Sequence, residues 1–349
     1  MPVIPPGSLV LVTGASGFVA VHVVKTLLDA GFPVRGTVRT AAKGEYLQNL
    51  FKDSPVPFAY IVVANIETAS RCPGAFDAAV MDVVGVAHTA SPFHWHADDP
   101  SELIGPAVHG TLGLLNSIQR INPQVKRVVV TSSCAAIIND NVTKPHCFTE
   151  ADWNTTSVHE CETLGRNASA TAKYRASKTL AEKALWQFIE VEQPHWDGVT
   201  INPSMVWGPL LQQAATIKDI NESTVIIHEW FTGNKPQSDI PSVAPFNGVD
   251  VRDVALAHLR ALIVPEAGSE RFILSNAPAS PNDFVLAFEH YWPERTTYPR
   301  GDASKVETIN AGSNYYDHTK SERVLGIQYT SFDESIKDAT ASLIARYGI

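Results

Sequence analysis

This sequence has few charged residues and few sulfur-containing ones. Charged residues make up 18% of its 349 residues, and the formal net charge is -9. A chain of this charge lacks the excess of cations that binds nucleic-acid phosphates or anionic lipid surfaces, so we expect no nucleic acid and no membrane among its partners. No apolar run reaches the roughly 20 residues that span a bilayer, and the first residues carry no basic segment typical of a signal peptide. We therefore expect a cytoplasmic protein.

Cysteine is scarce as well, and the four cysteines present show no C-x-x-C spacing. In a reducing compartment they need no disulfide framework, and we interpret them as free thiols. His146, Cys147, His159 and Cys161 are potential zinc ligands, but their spacing is not that of structural zinc sites. We predict no metal.

Apolar residues, in contrast, reach 44%, enough for a large core at this length. Short apolar runs bounded by turn residues predict strands, and helical patterns separate most of them, including one that starts at Pro106 and one that starts at Tyr174 and reaches Ile189. The predicted strands are Leu9–Val12, Val34–Val38, Phe58–Val63, Gly85–Thr89, Arg127–Thr131 and Val199–Asn202.

Strands that alternate with helices favour a parallel sheet with right-handed crossovers, which predicts an α/β doubly wound Rossmann fold with strand order 3-2-1-4-5-6. After Trp207 the alternation gives way to Pro- and Gly-rich segments with isolated helices. We predict a Rossmann domain over residues 1–203 and a smaller, mixed substrate-binding lobe over 204–349. The chain is expected to rejoin the sheet at about 249–276.

A glycine-rich turn follows the first predicted strand, with the spacing Gly14-x-x-Gly17-x-x-Ala20. Small residues at these positions allow a tight turn, a close approach of backbone to a pyrophosphate at the helix N-terminus, and close packing of helix on strand. The second strand ends near Arg39, where an NAD enzyme usually carries an acid that binds the ribose 2′-hydroxyl. Arg39 and Lys43 instead offer cations to a 2′-phosphate. The pattern favours NADPH over NADH as cofactor of the Rossmann domain.

Tyr174 and Lys178 stand four residues apart in a predicted helix, so their side chains share one face. A phenol titrates near pH 10, too high for efficient proton exchange at neutral pH, and an adjacent ammonium favours the phenolate. Ser133 follows the fifth strand at the edge where ligands bind, and its hydroxyl can hydrogen-bond a substrate carbonyl. We predict that these three residues form one catalytic site.

Taken with these motifs, the chain resembles the extended short-chain dehydrogenase/reductases, and within them the group of dihydroflavonol reductase, yeast methylglyoxal reductase and fungal carbonyl (aldehyde) reductase. The resemblance covers nearly the whole length. It is carried by the segments 13–20, 88–92, 131–133, 174–178, 202–203, 208–209, 249–255 and 325–326, together with Arg39.

This resemblance implies NADPH-dependent reduction of an aldehyde or ketone to an alcohol by hydride transfer. Tyr174 would donate the proton, Ser133 would orient the carbonyl, Lys178 would lower the tyrosine pKa and hold the nicotinamide ribose, and Pro203 would line the nicotinamide. The residues expected to contact the cofactor are Gly14, Ser16, Gly17, Phe18, Val19, Arg39, Lys43, Asn65, Ile66, Thr89, Ala90, Ser91, Tyr174, Lys178, Pro203 and Val206.

Two positions depart from the family pattern. Asn65-Ile66 stands where relatives usually carry Asp-Ile or Asp-Met near the adenine, and an amide there can still donate and accept hydrogen bonds. His109 stands where many relatives carry Asn, so we assign no fourth catalytic residue.

The substrate is expected to be a small-molecule carbonyl, because binding sites of this kind are concave and largely apolar with few polar groups. We predict that Phe93, Met205 and Trp207 grip the substituents while Ser133 and Tyr174 hold the carbonyl. The sequence leaves open whether the protein is a monomer or a homodimer.

Two other functions remain open at this point. One is a nucleotide-sugar epimerase or dehydratase that retains NAD, against which the missing acid after the second strand argues. The other is a non-catalytic dinucleotide sensor, whose usual mark would be loss of the tyrosine or the lysine. Both Tyr174 and Lys178 are present.

Overall fold

A computed structural model of the chain describes residues 3–64, 74–91 and 97–349. Within these ranges the strands are β1 (Val10–Thr13), β2 (Val34–Val38), β3 (Phe58–Val62), β4 (Gly85–His88), β5 (Arg127–Thr131), β6 (Cys147–Phe148), β7 (Asp197–Pro203), β8 (Met205–Trp207), β9 (Phe246–Asp250), β10 (Arg271–Leu274), β11 (Ala277–Ala279) and β12 (Tyr315–Tyr316). The α-helices are α1 (Phe18–Asp29), α2 (Ala41–Leu50), α3 (Asp77–Val80), α4 (Ser101–Ile121), α5 (Thr156–Leu164), α6 (Ala170–Glu192), α7 (Glu222–Phe231), α8 (Val251–Ile263), α9 (Pro281–Tyr291), α10 (Val306–Ala311) and α11 (Phe332–Tyr347).

The central sheet has seven parallel strands in the order β3-β2-β1-β4-β5-β7-β10. Its first six strands keep the predicted order, and β10 adds a seventh beside β7. The registers Thr13 with His88 and Thr131 with Ile201 bring the carboxyl ends of neighbouring strands to one edge. In parallel sheets ligands bind at this edge, where the strand order changes direction. The predicted Rossmann fold is confirmed.

Helices cover both faces of this sheet, as parallel strands require, because their two faces are both apolar. On one face, buried residues of β1, β2 and β7 pack against α1 and α8 in a single core cluster. On the other face, α4 and α6 contribute Leu114, Ile118, Leu185 and Phe188 to a second cluster.

The chain beyond β7 builds most of a smaller lobe with its own core. The strands β8, β9 and β11 form a three-stranded sheet with one parallel and one antiparallel pair. Buried residues of α7, α9 and α11 pack together beside it, among them Ile227, Phe231, Phe284 and Leu343. The mixed C-terminal lobe that the sequence predicts is present.

Two predicted helix starts differ from the structure. Helix α4 begins at Ser101 and carries Pro106 inside it, because buried Leu103 anchors the turn before the proline. Helix α6 begins at Ala170, where the side chain of Ser169 caps it by accepting a hydrogen bond from the amide of Ala172 at 3.1 Å. Within segment 249–276, helix α8 packs on one face of the central sheet and β10 joins the sheet as a strand.

Among the helices within the described ranges, none combines the length and the apolar character that crossing a lipid bilayer requires.

Candidate active site

The turn between β1 and α1 has the conformation that its glycines predict. Gly14 has a φ of +64°, and a Cβ there would lie 3.1 Å from the Cα and Cβ of Ala90. The Gly14 amide donates to Thr37 Oγ1 at 3.0 Å, and Gly17 forms the N-cap of α1. A side chain at position 14 would therefore meet both backbone strain and a close neighbour. The turn leaves the N-terminus of α1 open, with amides that can bind an anion.

Thr13, the last residue of β1, joins this turn to the end of β4. Its Oγ1 lies 2.7 Å from Nδ1 of His88 and accepts from the Ala90 amide at 3.1 Å. The hydroxyl of Thr89 donates to the Thr13 carbonyl oxygen. Burial lowers the pKa of His88 to about 4, so this imidazole is neutral at physiological pH. Segment 88–90 is thus held against the glycine turn by neutral hydrogen bonds.

A cleft of about 380 Å³ opens over the turn. Of the residues predicted to bind the cofactor, nine line it: Gly14, Ser16, Gly17, Phe18, Arg39, Lys43, Thr89, Ala90 and Ser91. Arg39 is exposed and Lys43 is half-buried, so both cations can be reached from the cleft.

The far wall of the cleft was not predicted. It consists of Gln212, Gln213, Asp219, Ile220 and Asn221, all from the chain beyond β8. Hydrogen bonds from distant helices hold this segment in place, since Tyr46 on α2 donates to the Leu211 carbonyl at 2.9 Å and Arg346 on α11 donates to the Gln212 carbonyl at 2.6 Å.

These partners lie more than a hundred residues from the segment along the chain, on either side of it. The spacing and periodicity of residues within the segment around Leu211 and Gln212 therefore cannot predict these contacts.

Two features of the cleft fit a dinucleotide. The Cβ-free position at Gly14 leaves room for a pyrophosphate against the backbone. Gln212 is 4% exposed and its Oε1 has no hydrogen-bond partner among the described residues, although its Nε2 donates to Asn221 Oδ1 at 3.0 Å. A buried acceptor without a partner is costly, and a hydroxyl or amine of a bound ligand would satisfy it.

Ser133, Tyr174 and Lys178 lie at the same edge of the sheet. Ser133 is the second residue after β5, and its Oγ accepts from the Ala135 amide at 3.1 Å. Tyr174 and Lys178 occupy successive turns of α6 and are half-buried. The hydroxyl of Ser133 lies near that of Tyr174, close enough to act on the pKa of the tyrosine. The structure brings together the three residues predicted to be catalytic.

The pKa of Tyr174 is raised from its ordinary value because burial disfavours the phenolate, and the nearby hydroxyl of Ser133 offsets only part of this. The net shift is opposite to the one that the resemblance implies for a tyrosine beside a lysine. Burial lowers the pKa of Lys178 to about 8, with Glu182 acting in the opposite direction. The lysine charge in turn lowers the pKa of His88, so it lies close to the end of β4.

Comparison with known proteins agrees with this geometry. The model of the NAD dependent epimerase/dehydratase family matches residues 10–274. The chain belongs to this family. It is 36% identical over 341 residues to the ketoreductase azaE of Aspergillus niger, covering 96% of this chain and 97% of that protein. It is 34% identical over 349 residues to the NADPH-dependent methylglyoxal reductase GRE2 of Saccharomyces cerevisiae, covering 97% and 98%.

The crystal structure of yeast methylglyoxal/isovaleraldehyde reductase Gre2 complexed with NADPH superposes on this family member with a TM-score of 0.86. The two chains are 31% identical, and the match covers 97% of this one and 99% of the other. The resemblance on which the sequence interpretation rests, to the extended reductases of this family, is confirmed.

The remaining predicted site residues fall at the same edge or beside it. Pro203 is the last residue of β7 and is buried, and its carbonyl oxygen accepts from Ser133 Oγ at 3.4 Å. Met205 and Val206 in β8 are half-buried. Met205 packs on the core of the lobe and Val206 on the core of the central sheet. Val19 is half-buried in the first turn of α1.

Trp207, by contrast, is a core residue of the lobe. It is 1% exposed, and its ring packs edge-on against Phe284, Phe246 and Phe332 at centroid distances of 5.2, 5.8 and 6.4 Å. Aromatic rings in this arrangement stabilise a core and present no surface to a ligand. The structure therefore does not support the predicted place of Trp207 in the substrate pocket. Asn65, Ile66 and Phe93 lie outside the described residues.

Proposed function

We propose that the protein reduces an aldehyde or ketone to an alcohol with NADPH. The observation that carries the proposal is the proximity of the Ser133 and Tyr174 hydroxyls, with Lys178 one turn further along α6, at the same strand edge as the glycine turn. A hydroxyl pair of this kind can bind a carbonyl oxygen and supply a proton to it. Relatives of the same length are named as a ketoreductase and as NADPH-dependent reductases.

The cofactor proposal rests on the residues at the end of β2. Arg39 and Lys43 line the cleft next to the glycine turn, where the 2′-phosphate of NADPH would meet them. Gly14 and Gly17 would hold the pyrophosphate, and Gln212 would offer its unpartnered acceptor to the nucleotide. When bound, NADPH supplies the two electrons of the reduction as a hydride.

The protein supplies the proton and the orientation. Because its pKa is raised, Tyr174 is protonated at neutral pH and can donate to the carbonyl oxygen. Ser133 donates a second hydrogen bond to that oxygen and polarises it. Lys178 is cationic below about pH 8, the value to which burial lowers its pKa, and its charge stabilises the phenolate that Tyr174 becomes after donating.

The decisive experiment follows the absorbance of reduced nicotinamide while purified protein is given NADPH and a panel of aldehydes, diketones, ketoesters and flavanonols. Wild-type protein is expected to oxidise NADPH only when a carbonyl is present. Tyr174→Phe keeps the ring and removes the acid, so turnover should fall by roughly 10²- to 10⁴-fold while NADPH still binds.

Other outcomes would assign the alternatives. Protein that is purified with tightly bound NAD and consumes no added NADPH would be an epimerase or dehydratase. Protein that binds NADPH and turns over no member of the panel would be a sensor. Near-full turnover by Tyr174→Phe would show that the proton comes from another group.

We further propose a cytoplasmic location and a monomer or homodimer. The location is supported by Cys134, Cys147 and Cys161, which are free thiols whose pKa values are raised chiefly by burial. Light scattering on purified protein would decide the oligomeric state.

A further inference from the structure

A buried carboxylate lies one helical turn beyond Lys178. The side chain of Glu182 on α6 is 0% exposed. Oε1 of Glu182 accepts from Arg271 Nε at 2.6 Å and from Thr200 Oγ1 at 3.1 Å. Oε2 accepts from Asn202 Nδ2 at 2.7 Å and from the hydroxyl of Ser132. A buried carboxylate is tolerated only when its oxygens are hydrogen-bonded and its charge is paired, and both conditions hold here.

The partners of Oε2 directly precede residues of the proposed active site. Ser132 is the neighbour of Ser133 at the end of β5, and Asn202 is the neighbour of Pro203 at the end of β7. The amide of Asn202 also donates to the Ser133 carbonyl oxygen at 3.3 Å. One carboxylate therefore fixes the segments that carry Ser133 and Pro203 to the helix that carries Tyr174 and Lys178.

The partners of Oε1 face the other way. Arg271 balances the charge from β10, donates to the carbonyl oxygens of Glu150 and Asp152, and lies 3.8 Å from the ring centroid of Trp153. This half of the network joins the sheet to the loop before α5. The carboxylate thus has one oxygen toward structural contacts and one toward the active-site segments.

We propose that Glu182 is a positioning residue for carbonyl reduction, holding Ser133 and Lys178 at a fixed separation across the junction of β5, β7 and α6. This inference rests on the proposed function. Ser132 and Asn202 satisfy the second oxygen, as any buried carboxylate requires, and they connect it to the site because they directly precede Ser133 and Pro203.

The charge of Glu182 has a second effect, since it raises the pKa of Lys178 against the lowering caused by burial. The other titratable groups around this pair are His88 on β4, Tyr174 on α6, Arg271 on β10, and Cys134 and Glu150. Burial lowers the pKa of His88 and raises the pKa values of Tyr174 and Cys134, so these three are neutral near pH 7. Removing the Glu182 charge should therefore lower the pKa of Lys178.

The test compares wild type, Glu182→Gln and Glu182→Asp, with Glu192→Gln as control at an exposed position on the same helix. Glu182→Gln keeps the shape of the side chain but places an NH2 group against the NH2 group of Asn202, which should displace the neighbouring segment. A displacement of about 1 Å at the reacting groups costs up to roughly 100-fold in rate. We expect kcat to fall roughly 10- to 100-fold and the alkaline limb of kcat/KM for NADPH to move to lower pH. The control should match wild type in both.

Glu182→Asp separates position from charge. It keeps the anion near Lys178 but shortens the side chain, so kcat should fall while the alkaline limb stays where it is in wild type. This variant also decides the matter if Glu182→Gln does not fold, which circular dichroism would show. Wild-type kcat in either folded variant, or a loss in Glu182→Gln with no shift of the limb, would overturn the proposal. Absence of turnover in wild type itself would instead refute the proposed function.

Discussion

The glycine turn allows a prediction with a control built into the chain. Gly14 and Gly31 both have positive φ, +64° and +81°, so Ala at either position carries a backbone strain of about 1–2 kcal/mol. A Cβ at position 14 would also lie 3.1 Å from Ala90, whereas a Cβ at position 31 would have no atom of a described residue within 4 Å. Both variants should lose similar stability from strain, and only Gly14→Ala should disturb the cleft.

The size of the second effect follows from what the turn holds. If the displaced backbone loses one charge-assisted hydrogen bond to the pyrophosphate, worth about 1.5–3 kcal/mol, the Kd for NADPH rises roughly 10- to 150-fold. Fluorescence titration measures the Kd, and urea unfolding measures the shared strain. Equal NADPH affinity in the two variants would refute the assignment of the turn to the pyrophosphate.

Three further predictions concern the cofactor, the pH dependence and the lobe. Arg39→Ala should weaken NADPH binding roughly tenfold and leave NADH binding unchanged; the loss lies in the lower part of the range for a charged hydrogen bond because Arg39 is exposed. The exposed Arg300→Ala is the control, and equal losses of affinity for both cofactors would leave Arg39 without a cofactor role. Burial lowers the pKa of Lys178 to about 8, so kcat/KM for NADPH should fall as the pH rises through that value. Lys178→Arg should abolish this alkaline fall, and an unchanged fall in the variant would exclude Lys178 as its source. Trp207→Ala should lower the free energy of unfolding by about 3–5 kcal/mol, measured in urea, and leave the ranking of substrates unchanged; an altered ranking would return Trp207 to the pocket.

The parts of the site that the sequence predicts are those encoded locally. The turn at Gly14 lies between an apolar run and an amphipathic helix, and its spacing alone predicts its conformation. Tyr174 and Lys178 share a helix face wherever the helix begins, so the incorrectly predicted start of α6 at Tyr174 does not affect the prediction that they act together. The cap at Ser169 was the missed signal.

The parts that could not be predicted depend on contacts between distant segments. Gln212 reaches the cleft only because Tyr46 and Arg346 hold its segment from α2 and α11. Trp207 lies four residues after Pro203, which favours a pocket role, but its three Phe neighbours come from β9, α9 and α11, so the sequence position alone does not predict its burial. In the sequence, Glu182 is indistinguishable from an exposed helical acid, and only the structure shows its contacts with Arg271 and Asn202.

The late strand β10 has a consequence for synthesis on the ribosome. At about 5–20 residues per second, several seconds separate the emergence of β7 from that of β10. During this interval the nascent nucleotide-binding sheet ends in an unpaired strand, which is a template for pairing with other chains. Glu182 has by then been synthesised without Arg271, the cation that balances it. The nascent chain can therefore complete its central sheet and balance the charge of Glu182 only when β10 arrives, and we expect a chain interrupted before that point to expose the free edge of β7 and to lack the cation beside Glu182.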